Sequence, residues 1–425
     1  MKTLPYWWED APRETTRSSS QPNDTDVAII GAGFTGLSAA LVLARAGLSV
    51  TVFEAGQLGE GASSRNGGMV GPSFHKLGIA GLRARYGEEK TNDILRESVG
   101  FVDFLDGFLK TEKIDADFSR VGRFRGALKP AHFDSMAQEL EILQKVCGVE
   151  GKVVSAAEQA SETGSDRFSG GIVYETDGGL HPAKFHNGLI ARVRQAGAHI
   201  LSHTPVLNLS RSNGGFSVTT PLGIVNAGQV AVCTNGYTGP QFPALRRRLL
   251  PLRSAMIATE ALPSELMAQL MPKGRMCVDS RRIVAYYRPS PDGKRILFGG
   301  RASGLHDNPQ KNAHQLRSSM IEIFPQLKDA QISHVWSGLV AYAFDHAPHI
   351  GQRDGISFSM GYCGSGVSRA TYFGQKLGAK ILGKEDLGRT AFDDLPFQTK
   401  PLYSGNPWFM PAILGWHRIA DRIGY

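Results

Sequence analysis

The stretch that most restricts what this chain can fold into is Val27-Ala28-Ile29-Ile30-Gly31-Ala32-Gly33-Phe34-Thr35-Gly36. An apolar run of strand type stops at a Gly-x-Gly-x-x-Gly turn. A small-residue helix follows from Leu37 to Gly47, and a second strand, Ser49 to Phe53, ends on Glu54. This is a βαβ unit of the kind that holds a dinucleotide at its crossing point. Gly31 allows the tight turn, Gly33 lets backbone approach a pyrophosphate, and Gly36 lets helix pack against strand. Phe34 and Thr35 open the helix, whose free N–H groups and partial positive charge suit phosphate. Glu54, 18 residues beyond Gly36, is placed to accept hydrogen bonds from an adenosine ribose. The unit leaves open which dinucleotide binds.

The remaining composition excludes more than it assigns. A chain of 425 residues is long for one core, so two interleaved domains are expected. The net charge of +8 is spread out, with Arg246-Arg247-Arg248 the densest run, and reads as a solvated basic surface rather than a nucleic-acid site. Cys147, Cys233, Cys277 and Cys363 lie far apart with no metal-ligand or disulfide spacing, so no metal and a reducing, cytoplasmic setting are expected. The N-terminus lacks the apolar core of a signal peptide, and the apolar stretch from 27 to 53 is broken by the glycine turn, Arg45 and Gly47, so no membrane span is expected.

Residues 1–22 carry Pro5, Pro12 and Pro22 and read as an arm anchored by Tyr6, Trp7 and Trp8. After Glu54 comes a second dense segment, Gly59 to Pro72, too glycine-rich for regular structure. There the hydroxyls of Ser63 and Ser64 suit phosphate or ribityl, and Asn66, Gly67 and Gly68 offer bare backbone to a flat ring. Helical periodicity marks 87–113 and 131–147, with a strand over 120–128 between them. Asp177 to Pro182 reads as a turn, and Pro182 opens a helix. Short strands follow, then a hairpin of Ile283–Pro289 with Arg295–Gly300. Trp336 to Gly351 is a distinctive block, and Gly361 to Val367 opens a last long helix. A closing stretch, 412–423, is amphipathic and suits packing on its own domain or on a second subunit better than a membrane surface.

Gly364-Ser365-Gly366-Val367 is thus a second helix start, more than 300 residues after the first. A nicotinamide dinucleotide normally needs one βαβ pair. An extended flavin dinucleotide needs support along a longer path, and a helix N-terminus near the flavin pyrimidine stabilises the negative charge of the reduced ring.

Taken in order, the glycine unit, Gly61-Ala62-Ser63-Ser64-Arg65-Asn66-Gly67-Gly68, Gly179-Leu180-His181-Pro182, the hairpin ending Phe298-Gly299-Gly300 and the block from Trp336 through Gly366 resemble FAD-dependent oxidoreductases of the D-amino-acid oxidase superfamily. The Arg65 to Gly68 form, the aromatic opening and Pro407 to Pro411 look most like its gamma-glutamylputrescine oxidase branch. The resemblance implies an α/β fold: a Rossmann-like FAD domain over 23–90, 175–245 and 335–385, interleaved with a substrate domain over 91–174 and 246–334 built on an antiparallel sheet, and a C-terminal segment over 386–425. It also implies a backbone contact from Val206 to adenine, hydride transfer from a C–N bond to flavin N5, imine hydrolysis, and oxygen or another electron acceptor.

Two departures sharpen the expectation. Sarcosine-type relatives hold FAD through a Cys, where this chain has Gly338, and dimethylglycine-type relatives through a His, where it has Arg65. FAD should be non-covalent, with Cys363 the alternative attachment point. Amino-acid oxidases often carry Gly-Leu-Arg-Pro after the late Trp. Here the stretch is Gly338-Leu339-Val340-Ala341, and Val340 cannot clamp a carboxylate. That favours an amine or substituted amine over an α-amino acid, unless Arg288 or Arg301 supplies the clamp. His75, Tyr286, Tyr287, Trp336, Tyr342, His346 and His349 are the candidate pocket lining, with at most one of Tyr286 and Tyr287 facing the flavin because strand neighbours point oppositely. No catalytic acid or base is assigned. The alternatives kept are a D-amino-acid or sarcosine-type oxidase or dehydrogenase, and a non-catalytic FAD-bound partner protein.

Overall fold

The computed structural model describes residues 1–72, 74, 77–212, 214–301, 307–410, 412, 413, 415 and 416. His75 and most of the closing amphipathic stretch lie outside the described residues.

The glycine-turn strand, Asp24–Ile30, sits inside an eight-stranded sheet. It pairs in parallel with Val50–Phe53 on one side and with Gly223–Val232 on the other. His199–Leu201 and Ile356–Met360 extend the parallel part, the hairpin strand His349–Arg353 closes one edge, and Asn208–Ser212 with Gly215–Thr220 form an antiparallel meander on Gly223–Val232. Alternation along the first strand explains why both faces are covered. Val27 and Ile29 enter a core with the helices Phe34–Arg45, Glu88–Glu112, Pro182–Gln195 and Gly366–Ile381, while Ala28 and Ile30 enter another with Val206, Phe216 and Val218.

The second sheet also has eight strands, in the order Ile332–Ala343, Leu249–Thr259, Ile296–Arg301, Tyr286–Pro289, Met276–Asp279, Arg123–Gly126, Gly171–Tyr174, Gly151–Val154. Its neighbours are antiparallel except Met276–Asp279 with Arg123–Gly126, which run parallel. The sheet is therefore mixed rather than wholly antiparallel. Its two halves come from separate excursions of the chain, and where they meet no hairpin dictates direction. Strand Ile332–Ala343 runs unbroken across position 335, pairing with Leu249–Thr259, so the chain changes sheets after Ala343. Helix Glu88–Glu112 packs its Ile94, Phe101 and Leu105 into the first core.

The stretches expected to be irregular contain short regular pieces. Ala62–Ser64 is a 3-10 turn, and Met69–Val70 pairs with Gly178–Gly179. Two side-chain-free residues at 178 and 179 let a third segment, Ser119, bridge to Gly179. The arm does more than lie on the surface: Trp7–Asp10 is a single helical turn, with Tyr6 and Trp7 buried. No helix among the described residues is long and apolar enough to cross a membrane.

Candidate active site

The two helix starts singled out in the sequence meet in space. Gly374 and Gly378 form the contact face of the late helix: a Cβ at Gly374 would stand 2.5 Å from Thr35 O, and one at Gly378 2.8 Å from Val42 Cβ. The Thr35 hydroxyl is 2.7 Å from Tyr362 OH, which is 2.9 Å from Ser359 Oγ, and Gln375 Nε2 donates to Ser38 O at 3.1 Å. Val367 is buried in the core beneath this crossing.

In the first turn Gly31 has φ +107°, and a Cβ at Gly36 would overlap Gly31 O. Both positions therefore require glycine. The peptide of Ala32 is held at both ends. Its N–H donates to Glu54 Oε2 at 3.0 Å, and its carbonyl accepts from His186 Nε2 at 2.7 Å. Glu54 also accepts from Gly56 N at 3.2 Å. Burial raises the Glu54 pKa, opposed by these N–H donors. Burial pushes His186 down to about 4, so its ring is neutral and donates through Nε2. The Ser63 hydroxyl accepts from Phe34 N at 3.0 Å at the helix start, and a Cβ at Gly33 would meet that same hydroxyl. Val206 lies in the core, its carbonyl accepting from Gln241 Nε2 at 3.2 Å, next to Thr204, whose N–H donates to Glu54 O at 2.8 Å.

The Ala62 to Gly68 loop runs from this helix start to the second sheet. The Asn66 amide donates to Ala62 O and Ser63 O and accepts from Gly68 N, a self-closed turn. Gly68 O accepts from Leu180 N at 2.8 Å and from Arg288 Nη1 at 3.0 Å. Arg288 also donates to Leu180 O, and burial lowers it to about 10. That guanidinium serves backbone, not the pocket. Arg65 stretches over Gly338, where a Cβ would lie 2.9 Å from its Cδ, and donates to Ser337 O at 2.7 Å. The two positions that the resemblance matches to flavin attachment points, Arg65 and Gly338, are thus neighbours here, and neither carries a thiol or imidazole.

Facing the loop is one side of the second sheet. The register puts Leu252 opposite Val340, Ser254 opposite Gly338 and Arg301, and Leu250 opposite Tyr342. Tyr286 closes this face. Its ring lies over Gly299 and would meet a Cβ at Gly67 at 3.2 Å, and its OH is 3.1 Å from Ser254 Oγ. Tyr342 OH and Val340 Cγ1 stand 3.6 and 3.8 Å from where a Gly364 Cβ would be. The Arg301 guanidinium lies 5.2 Å from the Tyr342 ring centroid, with Nη2 3.4 Å from the Tyr342 OH. Among the described residues the lining is therefore aliphatic and aromatic, with the hydroxyls of Ser254, Tyr286 and Tyr342, the Arg301 guanidinium at one end and the Arg65 side chain over Gly338. A cavity of about 340 Å³ lies on the other side of the same strand, against Leu339, Tyr237 and Arg246.

The other candidates go elsewhere. Tyr287 is buried in the second core, stacked on Phe298 and 3.1 Å from Thr163 Oγ1, so Tyr286 alone of the pair faces the loop. Trp336 is buried beneath the arm, its indole donating to Arg65 O at 2.8 Å. His346 packs edge-on against Tyr342. His349 is buried, 3.0 Å from Asp345, which also accepts from Tyr86 OH. The Cys363 thiol donates to Gly361 O at 3.1 Å among Leu252, Tyr342 and Met410. Gly364 has φ +90°, and Ser365 N donates to Tyr362 O in the turn before the helix. Ser254 and His186 were not singled out from sequence. Strict alternation of Leu252, Ser254 and Met256 could have flagged Ser254, whereas His186 on an apolar helix face carries no local signal.

These residues fit a flavin dinucleotide. Gly33 leaves an open side at a helix start beside the Ser63 hydroxyl, Glu54 is a half-buried carboxylate at the second strand's end, and Arg65 Nε is buried with no hydrogen-bond partner among the described residues. A family model described as FAD dependent oxidoreductase matches residues 26–379. The chain belongs to this family. Over 409 residues, 94% of this flavoenzyme and 92% of the relative, it is 32% identical to "Probable oxidoreductase OrdL" of Rhizobium meliloti. It is 28% identical to the gamma-glutamylputrescine oxidoreductase of Escherichia coli over 404 residues, 94% and 93% of the two chains. Its fold is that of glycine oxidase from Geobacillus kaustophilus, with a TM-score of 0.74 over 89% of this chain and 99% of the other, at 19% identity. The chain is an FAD-dependent oxidoreductase of the D-amino-acid oxidase type.

Proposed function

We propose that this flavoenzyme oxidises the C–N bond of an amine or N-substituted amine, in the manner of gamma-glutamylputrescine, with FAD bound non-covalently. The observation that carries the reading is Val340, whose methyl faces Gly364 where amino-acid oxidases of this resemblance carry a carboxylate-clamping arginine. Bound FAD supplies the hydride acceptor, and the resulting imine is hydrolysed by water, with oxygen the favoured acceptor of the electrons. The chain's own part is to hold a neutral amine. Leu252, Val340, Tyr286 and Tyr342 desolvate a cation and so favour the free base, while the hydroxyls of Ser254 and Tyr286 can orient it. Arg301 at the Tyr342 end offers one anchor for a carboxylate remote from the reacting nitrogen, as in a glutamyl amide. The cofactor is supported by Gly31 to Gly36, Glu54, Ala62 to Gly68, Val206 and Gly364 to Val367. Four free cysteines and the resemblance support a cytoplasmic setting and a role in polyamine breakdown.

Anaerobic mixing with a panel of amines and amino acids, followed by admission of oxygen, tests this. Bleaching by γ-glutamyl or N-substituted amines and recovery with peroxide are expected. Bleaching by α-amino acids alone would overturn the substrate class and favour the second reading, an amino-acid or sarcosine-type oxidase, for which Arg301 is the supporting observation. Replacing Arg301 with Met should raise KM for acid-bearing amines and leave simple amines unchanged. Acid precipitation should release the flavin to the supernatant; yellow precipitate would mean a covalent link.

A further inference from the structure

Three consecutive residues of the loop, 64, 65 and 66, each accept a hydrogen bond from a tryptophan indole. Trp8 Nε1 donates to Ser64 Oγ, Trp336 Nε1 to Arg65 O and Trp7 Nε1 to Asn66 O, all at 2.8 Å. Two of the three donors belong to the arm, which precedes the family-matched residues 26–379. We propose that this arm is a working part of the cofactor site, its Trp7 and Trp8 positioning residues that hold the 62–68 loop in the shape that takes FAD, so that arm docking and FAD binding are coupled. The inference rests on the reading that this loop lies along the flavin.

The loop needs such support. With Gly59, Gly61, Gly67 and Gly68 among ten residues, its backbone has many conformations to lose, and little apolar side chain to fix one. The Ser64 hydroxyl links the arm to the loop: it accepts from Trp8 of the arm and donates to Gly59 O of the loop. Trp8 itself lies between two guanidiniums, Arg13 at 3.6 Å and Arg65 at 5.0 Å from its ring centroid, so the arm also fixes the side chain that covers Gly338. Trp7 is fully buried, edge-on to His181 and under the Arg288 guanidinium, which grips Gly68 O at the loop's far end.

The arm is attached at both of its own ends. Lys2 exchanges backbone hydrogen bonds with Ser333 and Val335 on the second sheet. Beyond Trp8, Asn187 Nδ2 donates to Pro12 O, Gln57 Nε2 to Glu14 O, and Ser202 Oγ to Thr16 O on the first sheet's side. It therefore spans from one sheet to the other directly over residues 64–66. By linkage, whatever orders the loop must favour the docked arm, and the docked arm must favour FAD.

The test uses the full chain, stripped of FAD and titrated back, with flavin fluorescence as readout. Trp7→Phe and Trp8→Phe each keep a ring and remove one N–H. Each should weaken FAD binding by about threefold to tenfold, the span of one net hydrogen bond, and the double variant by more than either. Trypsin cleavage after the exposed Arg17, read on apo and holo protein, should slow on FAD addition in the wild type and less so in the double variant. FAD affinity unchanged in both single variants, or cleavage after Arg17 indifferent to FAD, would overturn the proposal. Gly67→Val separates the two readings. If it leaves FAD binding intact, the loop does not lie at the flavin and both fail; if it abolishes binding while the Phe variants bind normally, the arm's role alone falls.

Discussion

Gly36 and His186 do their work through single atoms. A Cβ at Gly36 overlaps Gly31 O, so Gly36→Ala must push the helix off the strand. The variant should lose about 1–3 kcal/mol of stability and purify without yellow colour, as read by urea unfolding and the visible spectrum. His186 is neutral because protonating its buried Nδ1, which has no partner among the described residues, would strand an N–H in the core. Its folded pKa of about 4 lies below the ordinary 6.5, so its contribution is full above pH 6.5 and is lost as pH falls towards 4. That loss amounts to about 3 kcal/mol. Asp177 runs the other way: burial raises it to about 6, so its neutral form favours the fold at low pH and that support is lost as pH rises through 6. Replacing His186 with Gln keeps a donor for Ala32 O and removes the titration. Urea unfolding from pH 7 to 4 should show a variant less stable at pH 7 but with a flatter decline; an unchanged slope would refute the assignment.

The late helix and the glycine-turn helix act as one element. Gly374 and Gly378 bring them close enough for Thr35 to reach Tyr362. Gly374→Val should separate them, lower the thermal midpoint and weaken FAD binding, while leaving the second sheet's hairpin intact by amide exchange. A loss of about 2–4 kcal/mol is the expected size for overpacking plus a lost buried hydrogen bond. The strand, turn, helix and acid from 27 to 54 were legible in sequence because each signal there is local: glycine spacing, apolar alternation, a terminal carboxylate. The sense of pairing between Arg123–Gly126 and Met276–Asp279 was not, since 150 residues separate them and neither strand's pattern encodes its neighbour's direction. The indole donors of Trp7, Trp8 and Trp336 were equally hidden. Aromatic residues announce burial, but which carbonyl an N–H meets is set by tertiary placement. Tyr286 and Tyr287 mark the boundary between the two cases: alternation told that they part, and only the register with Gly299 and Phe298 told which faces the loop.

Both sheets contribute to the candidate site, with the loop, Tyr286 and Gly338 at their meeting point and the arm tying one to the other. FAD bound there should therefore stabilise the molecule as a whole. At free FAD one hundredfold above its Kd, stability should rise by about 2.7 kcal/mol. Calorimetry should show one transition moving upward with FAD concentration. Two transitions, only one of them FAD-sensitive, would show that the sheets unfold independently.

The hydrogen bond between Thr35 and Tyr362 spans 327 residues of chain. A ribosome adding about 5–20 residues per second delivers the first partner long before the second. The glycine turn therefore waits, for tens of seconds, without the helix that braces it and without the strand Gly223–Val232 on its flank. FAD loading must be a late event of synthesis, completed only after residue 378 has left the exit tunnel. Throughout that interval the apolar strand Asp24–Ile30 is unshielded whatever the flavin supply, so flavin supply should govern yield only at the end of synthesis, when the late helix has docked and the cofactor can lock the two together.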